Sequence, residues 1–312
     1  MKAPKLPSTV WRFLGARKAA FLLVPLACVA VGASFLMQRA ATPAERYVLP
    51  ITPPADQADT GLCWAFATLS MLESNYMHRH PGEAIELSHA ALQRAAIQDR
   101  FRRLIRGEMS RLGDGGLAVE ALALIRENGL VERQDFHGIV DSEPVISTIS
   151  ERLAGYSERE DKQRALAVEL SAHLGGEPGA THFGSGVVTP AELAAVVLGH
   201  KTWTEFDLAQ DGVEGWGPSH DPDARPDTRV RYVSLERMIG LVRESLRRGE
   251  AVVSGTKDHA LLIYGADYDA EGQPISYLIK DSLAPYLYRL DAETMHRSLN
   301  DVTVSSDASD PA

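Results

Sequence analysis

Covalent acyl transfer needs a nucleophilic side chain and a neighbour able to take its proton. Cys63 is the candidate nucleophile. In "PADQADTGLCWAFATLSMLES", residues 54–74, it follows Gly61 and stands where an apolar helical pattern begins. A thiol reacts as the thiolate, a form that a helix N-terminus and a nearby imidazolium both favour. Of the ten histidines, His78 and His80 fall at the end of that predicted helix and His220 in a polar loop. His259 opens "DHALLIYG", where a strand would hold the ring rigidly. A free cysteine also packs well as a small buried hydrophobe, and a single histidine at a strand start is commonly structural. It is the pairing of the two that points to chemistry.

The elements that must position this pair are readable from periodicity. Ala65, Leu69, Leu72 and Tyr76 recur at helical spacing after Cys63. Further helices are predicted over residues 88–106 and 117–128, the latter stopped by Gly129. Helical patches follow near 145–173 and 190–199, and a helix capped by Ser234 ends at Gly249. Short β-rich runs then take over, "EAVVSG", "HALLIYGADY", "ISYLIKD" and "YLYRL", separated by turns. Helices first and strands last predict an α+β fold. The polar stretches "GGEPGATHFGSG" and "GPSHDPDARPDTR" read as surface insertions. Asp221, Asp223 and Asp227 in the second lack the register of a calcium loop and read as a solvated segment, so no metal is expected.

Composition narrows the function further. The 312 residues, 45% of them hydrophobic, suffice for one large domain or two lobes. Six of the 32 basic residues and none of the 42 acidic ones fall within the first 40 positions, so the body is more acidic than the net charge of −10 conveys. An acidic body argues against nucleic acid as a partner. Two cysteines, Cys28 and Cys63, make no disulfide framework. Residues 19–38, "AAFLLVPLACVAVGASFLMQ", carry no charge and follow five basic residues. At about 1.5 Å per residue such a run just spans a bilayer core of about 30 Å, with the N-terminus cytoplasmic and the body outside. The expected organisation is a basic cytoplasmic segment (1–18), a signal-anchor (19–38), a linker (39–53), a catalytic domain (54–304) and a disordered tail (305–312). A cleaved signal peptide and a secreted product are the alternative, given small residues such as Ala30, Gly32 and Ala33.

The segment "DQADTGLCWAF" resembles the active-site segment of papain-like cysteine peptidases, with Gln57 six residues before Cys63. "ELS" at 86–88 with "GDGGLAVEALALIRENGLV" at 113–131, and "DHALLIYGADYDAEGQPISYLIKDS", are similar to the family's later landmarks. The long middle insertion, "TPAELAAVVLG" and "NDVTV" lean toward the bleomycin hydrolase and aminopeptidase C branch. The resemblance implies a two-lobe papain-like fold, a helical lobe and an antiparallel β-sheet lobe with the site between them. It implies Cys63 as nucleophile, His259 as base and then acid, and Gln57 with the Cys63 N–H as oxyanion hole. Gly61, Gly115 and Gly116 would line the substrate backbone. Peptide or protein substrates and no cofactor are implied.

Two departures stand out. Asp281 occupies the position of the family's asparagine, and Leu283 and Ala284 replace a Trp-Gly pair. An aspartate can also orient an imidazole. Two other readings therefore stay open: an inactive papain-fold binding module, and a Cys-His-Asp amidase or transglutaminase-like acyltransferase.

Overall fold

The computed structural model describes residues 43–307 apart from 139, 222, 223, 284 and 285. The apolar run at 19–38, Cys28 and the basic N-terminus lie outside the described residues. Among those described, no helix is long and apolar enough to cross a membrane.

The chain begins with β1 (Glu45–Val48), then forms α1 (Cys63–Arg79), α2 (His89–Arg106), α3 (Ala118–Asn128), α4 (Ser142–Ala154) and α5 (Arg159–Leu174). A hairpin of β2 (Thr181–Phe183) and β3 (Gly186–Val188) leads to α6 (Pro190–Leu198), β4 (Lys201–Leu208), β5 (Gly215–Pro218), β6 (Arg229–Val233) and α7 (Leu235–Arg247). The remainder is β7 (Val252–Gly255), β8 (Ala260–Tyr268), β9 (Pro274–Asp281), β10 (Tyr286–Asp291), α8 (Ala292–Ser298) and β11 (Asp301–Asp307). This is the α+β, papain-like arrangement that the sequence predicts. Among the described residues one nine-stranded sheet runs β10-β9-β8-β7-β11-β4-β6-β5, with β1 added on β8. Its pairs are antiparallel apart from β4 and β6.

The helix starts follow from capping. The Ser88 hydroxyl accepts the Ala91 N–H at 3.0 Å and so starts α2. Thr189 and Glu192 form a reciprocal capping box at α6, with Pro190 in its first turn. A small cluster of Ile97, Phe101, Ile149, Leu153, Leu166 and Leu170 closes α2 against α4 and α5. The main core lies between α1 and the sheet.

Helix α1 differs from a one-sided amphipathic helix: Trp64 through Tyr76 are all buried. It is the central helix, covered by the sheet on one side and by α2 and α3 on the other. Its polar residues therefore act as internal ties. Asn75 accepts the Ala251 N–H at 2.7 Å, at the entry to β7. Glu73 accepts the Leu87 N–H at 2.7 Å and the Thr52 hydroxyl at 2.5 Å. The Lys280 ammonium donates to Thr52 at 2.7 Å and lies 3.7 Å from Glu73. Burial pushes the Glu73 carboxyl up and the Lys280 ammonium down, each opposed by the other. This pair joins the nucleophile helix to the strand that ends at Asp281. Removing one partner of a buried pair leaves an uncompensated charge, so Lys280→Met is expected to cost about 3 kcal/mol in urea unfolding. Adding Glu73→Gln should recover part of it. A single variant as stable as wild type would show that the tie contributes nothing.

Several sequence expectations need correction. Residues 45–48, placed in a linker, form β1: Arg46 pairs with Asp267 at 2.5 Å and Tyr47 meets Tyr268 edge-on, which fixes a four-residue strand on β8. Residues 305–307, placed in a disordered tail, continue β11 opposite Trp203, Thr202 and Lys201. Strands also precede the terminal block, since β2 to β6 fall between α5 and α7. The first polar insertion contains the β2–β3 hairpin. The second is not purely a surface feature, because Ser219, His220 and Asp221 line the central cleft.

Candidate active site

The cleft between the lobes has a volume of about 730 Å³. Gln57, Gly61, Cys63, Gly115, Gly116 and His259 all line it, and Asp281 stands behind His259. The structure therefore brings together the residues that the resemblance assigns to the site.

Cys63 is the first residue of α1. The first turn holds no acidic residue, and Leu62, at the cap position, makes no side-chain cap. The positive end of the helix is thus left open toward the cleft, where it favours an anion. Gly61 packs tightly on Asp114. Its N–H donates to Asp114 Oδ2 at 2.6 Å, and a Cβ there would stand 2.3 Å from Oδ1. The Trp64 indole N–H donates to the Asp114 carbonyl at 2.9 Å, and a Cβ on Gly116 would lie 2.9 Å from the same indole. Asp114 thus clamps the cysteine loop onto the glycine segment, and both glycines are required by close approach.

His259 ends the four-residue loop between β7 and β8. The Thr256 N–H and hydroxyl both donate to its carbonyl, at 2.7 and 3.0 Å. Its Nε2 meets Asp281 Oδ1 at 2.7 Å, and its ring also hydrogen-bonds Cys63. With Nε2 committed to the carboxylate, Nδ1 is the atom left for the thiol. The hydrogen bond that the ring donates to Asp281, and then the one with Cys63, raise the imidazole pKa to about 9, against burial. Burial opposes charge on Asp281. His259, the Leu283 N–H at 2.9 Å and Tyr288 together still hold its carboxyl below the usual range.

Gln57 is 2% exposed and held on three sides. Its N–H donates to the Ser282 carbonyl at 2.9 Å, its Oε1 accepts the Ser282 hydroxyl at 2.7 Å, and its Nε2 donates to the Thr60 carbonyl at 2.6 Å. An amide nitrogen carries two hydrogens, so one remains for the cleft. Ala58 beside it sits at φ 52°, a left-handed conformation uncommon for a residue with a Cβ.

Three contributors were not assigned a role from sequence: Asp114, Ser282 and Tyr288. Tyr288 bears on the departure at Leu283. Leu283 is 60% exposed at the cleft mouth and covers nothing. The Tyr288 hydroxyl instead donates to Asp281 Oδ2 at 3.3 Å, so β10 supplies a phenol to the carboxylate. The available signal was the closeness in sequence of "ISYLIKD" and "YLYRL", which pair antiparallel and set Tyr288 opposite Ile279. Among the described residues no cluster of three or more His, Cys, Asp or Glu side chains is arranged to hold a metal ion.

The His259 pKa gives a pH prediction. A raised histidine pKa means that the imidazolium, and the stability it confers, is present below about 6.5 and lost as pH rises through about 9. Asp281→Asn removes the charge that favours it. The alkaline limb of kcat/KM is expected to move down by more than about one pH unit. An unchanged limb would separate Asp281 from the titration.

Comparison with known proteins agrees with this geometry. The family model described as papain family cysteine protease matches residues 42–166, the part bearing Cys63 and the glycine pair. PepW from Lactobacillus rhamnosis HN001 shares the fold at 15% identity, with a TM-score of 0.67 over 86% of this chain and 83% of that one. The structure reported for the mite allergens Blo t 1 and Der p 1 matches at 15% identity and a TM-score of 0.43, covering 87% and 73% of the two chains. Procathepsin L 3 of Tenebrio molitor larval midgut matches at 14% and 0.37, covering 85% and 70%. No curated protein sequence matches significantly. The cysteine segment is thus matched by the papain family model, and the chain shares the fold of PepW, a likeness to papain-like cysteine peptidases.

Proposed function

We propose that the protein cleaves peptide bonds through a Cys63 acyl-enzyme and does so outside the cytoplasm, tethered by its N-terminal apolar segment. The observation that carries the catalytic reading is the bonded series Cys63, His259, Asp281 at the mouth of the open end of α1. His259 Nδ1 takes the thiol proton, and the thiolate attacks the scissile carbonyl carbon. The Cys63 N–H and Gln57 Nε2 receive the charge that builds on the carbonyl oxygen. Gly61, Gly115 and Gly116 lie along the peptide backbone. His259 returns the proton to the leaving amine as the C–N bond breaks. Water then gives a proton to His259 and attacks the thioester, which releases the acid and restores the thiol. Asp281 with Tyr288 keeps the imidazolium oriented throughout.

The five basic residues before the run at 19–38 support export, and the length of that run supports an anchor over a cleaved signal. The middle insertion supports placement in the bleomycin hydrolase and aminopeptidase C branch. Asp281 keeps the acyltransferase reading in play, because a carboxylate is the usual partner of such histidines. Hydrolysis of fluorogenic peptides tests the peptidase, and incorporation of a primary amine into an acyl donor would favour the transferase. A C-terminal reporter active only in the cytoplasm would overturn the export proposal. Migration at full length supports the anchor.

A further inference from the structure

Arg100 is a buried cation of α2, and two of its partners belong to the active site. Its Nη2 donates to the carbonyl of Gly115, and its guanidinium lies over the Trp64 ring, 5.5 Å from the centroid. Trp64 follows Cys63 in α1, and its indole N–H donates to the carbonyl of Asp114. Two consecutive carbonyls of a segment that lines the cleft are thus drawn back against α1 and α2.

The segment needs such ties. Glycine has the widest backbone freedom of any residue, and two stand in succession at 115 and 116. Asp114 fixes only its own position, through Gly61 and Trp64. Among the described residues, the bond from Arg100 is the one hydrogen bond made to either glycine. It also sets the direction of the next donor. A trans peptide is planar, with its C=O and N–H pointing to opposite sides. No peptide bond is cis among the described residues. The Gly115 carbonyl faces α2, so the Gly116 N–H of the same plane faces the other way, into the cleft that Gly116 lines. Among the described residues no protein acceptor takes it.

We propose that Arg100 is a positioning residue for substrate binding: by holding the Gly115 carbonyl against α2, it aims the Gly116 N–H at a backbone carbonyl of the peptide. This rests on the peptidase reading of the same cleft. An N–H fixed before the substrate arrives gives its hydrogen bond without the entropy of ordering two glycines. Released from Arg100, the peptide plane between the glycines turns, and its N–H points into the cleft only part of the time. The Trp64 contact serves the same end, because it keeps the guanidinium beside the carbonyl. Arg100 therefore matters for substrates that bring a peptide backbone, and not for an acyl group that lacks one.

Two esters with the same leaving group test this on the full-length protein. One is p-nitrophenyl acetate, which has no backbone amide; the other is the p-nitrophenyl ester of an acetylated tripeptide. Arg100→Met keeps an unbranched side chain and removes the donor. With rates taken per titrated Cys63 thiol, kcat/KM for the peptide ester is expected to fall about tenfold, and that for the acetate to stay within about twofold of wild type. Arg100→Lys keeps a charged donor and should recover part of the loss. Should Arg100→Met fail to fold, Arg100→Lys carries the same comparison, with a smaller fall confined to the peptide ester. An equal fall on both esters would make Arg100 a support of Trp64 and Cys63 and overturn the role. A wild-type protein that gains nothing from the peptide backbone would overturn this role and the peptidase reading together. A wild-type preference for the peptide ester that survives undiminished in the Arg100 variants would overturn this role alone.

Discussion

Cys63→Ala is expected to lower kcat/KM for peptide substrates more than about a thousandfold while the protein stays folded. The reaction has no alternative nucleophile in the series, because His259 is committed to Asp281 on one side and to the thiol on the other. The thiol is half-buried at the lip of the cleft rather than in the core, so its loss opens no core cavity. The main core beneath it, from Trp64 to Tyr76, is untouched. Steady-state kinetics with a fluorogenic peptide, beside a thermal melt, separates the two effects. Turnover above about a thousandth of wild type would remove Cys63 from the chemistry.

Gln57→Ala is expected to cost about a hundred- to a thousandfold in kcat, with KM much less affected. The donor matters only once charge has moved onto the carbonyl oxygen, and it acts from a position fixed by Ser282 and Thr60. The truncation also leaves the Ser282 hydroxyl without its acceptor in a buried place, so some stability is lost as well, about 1–3 kcal/mol. The two losses are told apart by the kinetic split: lowered stability reduces the amount of active enzyme, whereas loss of the donor lowers kcat per titrated active site. Equal kcat per titrated site would place the oxyanion elsewhere.

The residues that meet in the cleft sit at element ends, and that is why they were legible. Cys63 opens a helix, His259 stands directly before a strand and Asp281 closes one, and each boundary shows in the local pattern of apolar and turn residues. What joins them across the chain was not. Asp114 acts on Gly61 from 53 positions away, and nothing near either residue announces the contact. Strand β4, "KTWTEFDL", breaks the alternation expected of a half-buried strand because its cleft-facing positions are Glu205 and Asp207. The feature that hid the strand is the one that gives the cleft its acidic floor. In α1 the even burial of polar and apolar residues blurs the one-sided pattern, since Glu73 and Asn75 face internal partners rather than water. Strand β1 is too short for periodicity and is held by contacts made only after folding.

The central claim is that Cys63 is a nucleophile activated by His259. Labelling of the full-length protein with a peptidyl epoxide, followed by peptide mapping, tests it most directly. The account predicts one adduct, on Cys63, formed far more slowly in His259→Ala and not at all after unfolding in acid. An intact, folded protein that takes no adduct at Cys63, or takes it as fast without His259, would contradict it.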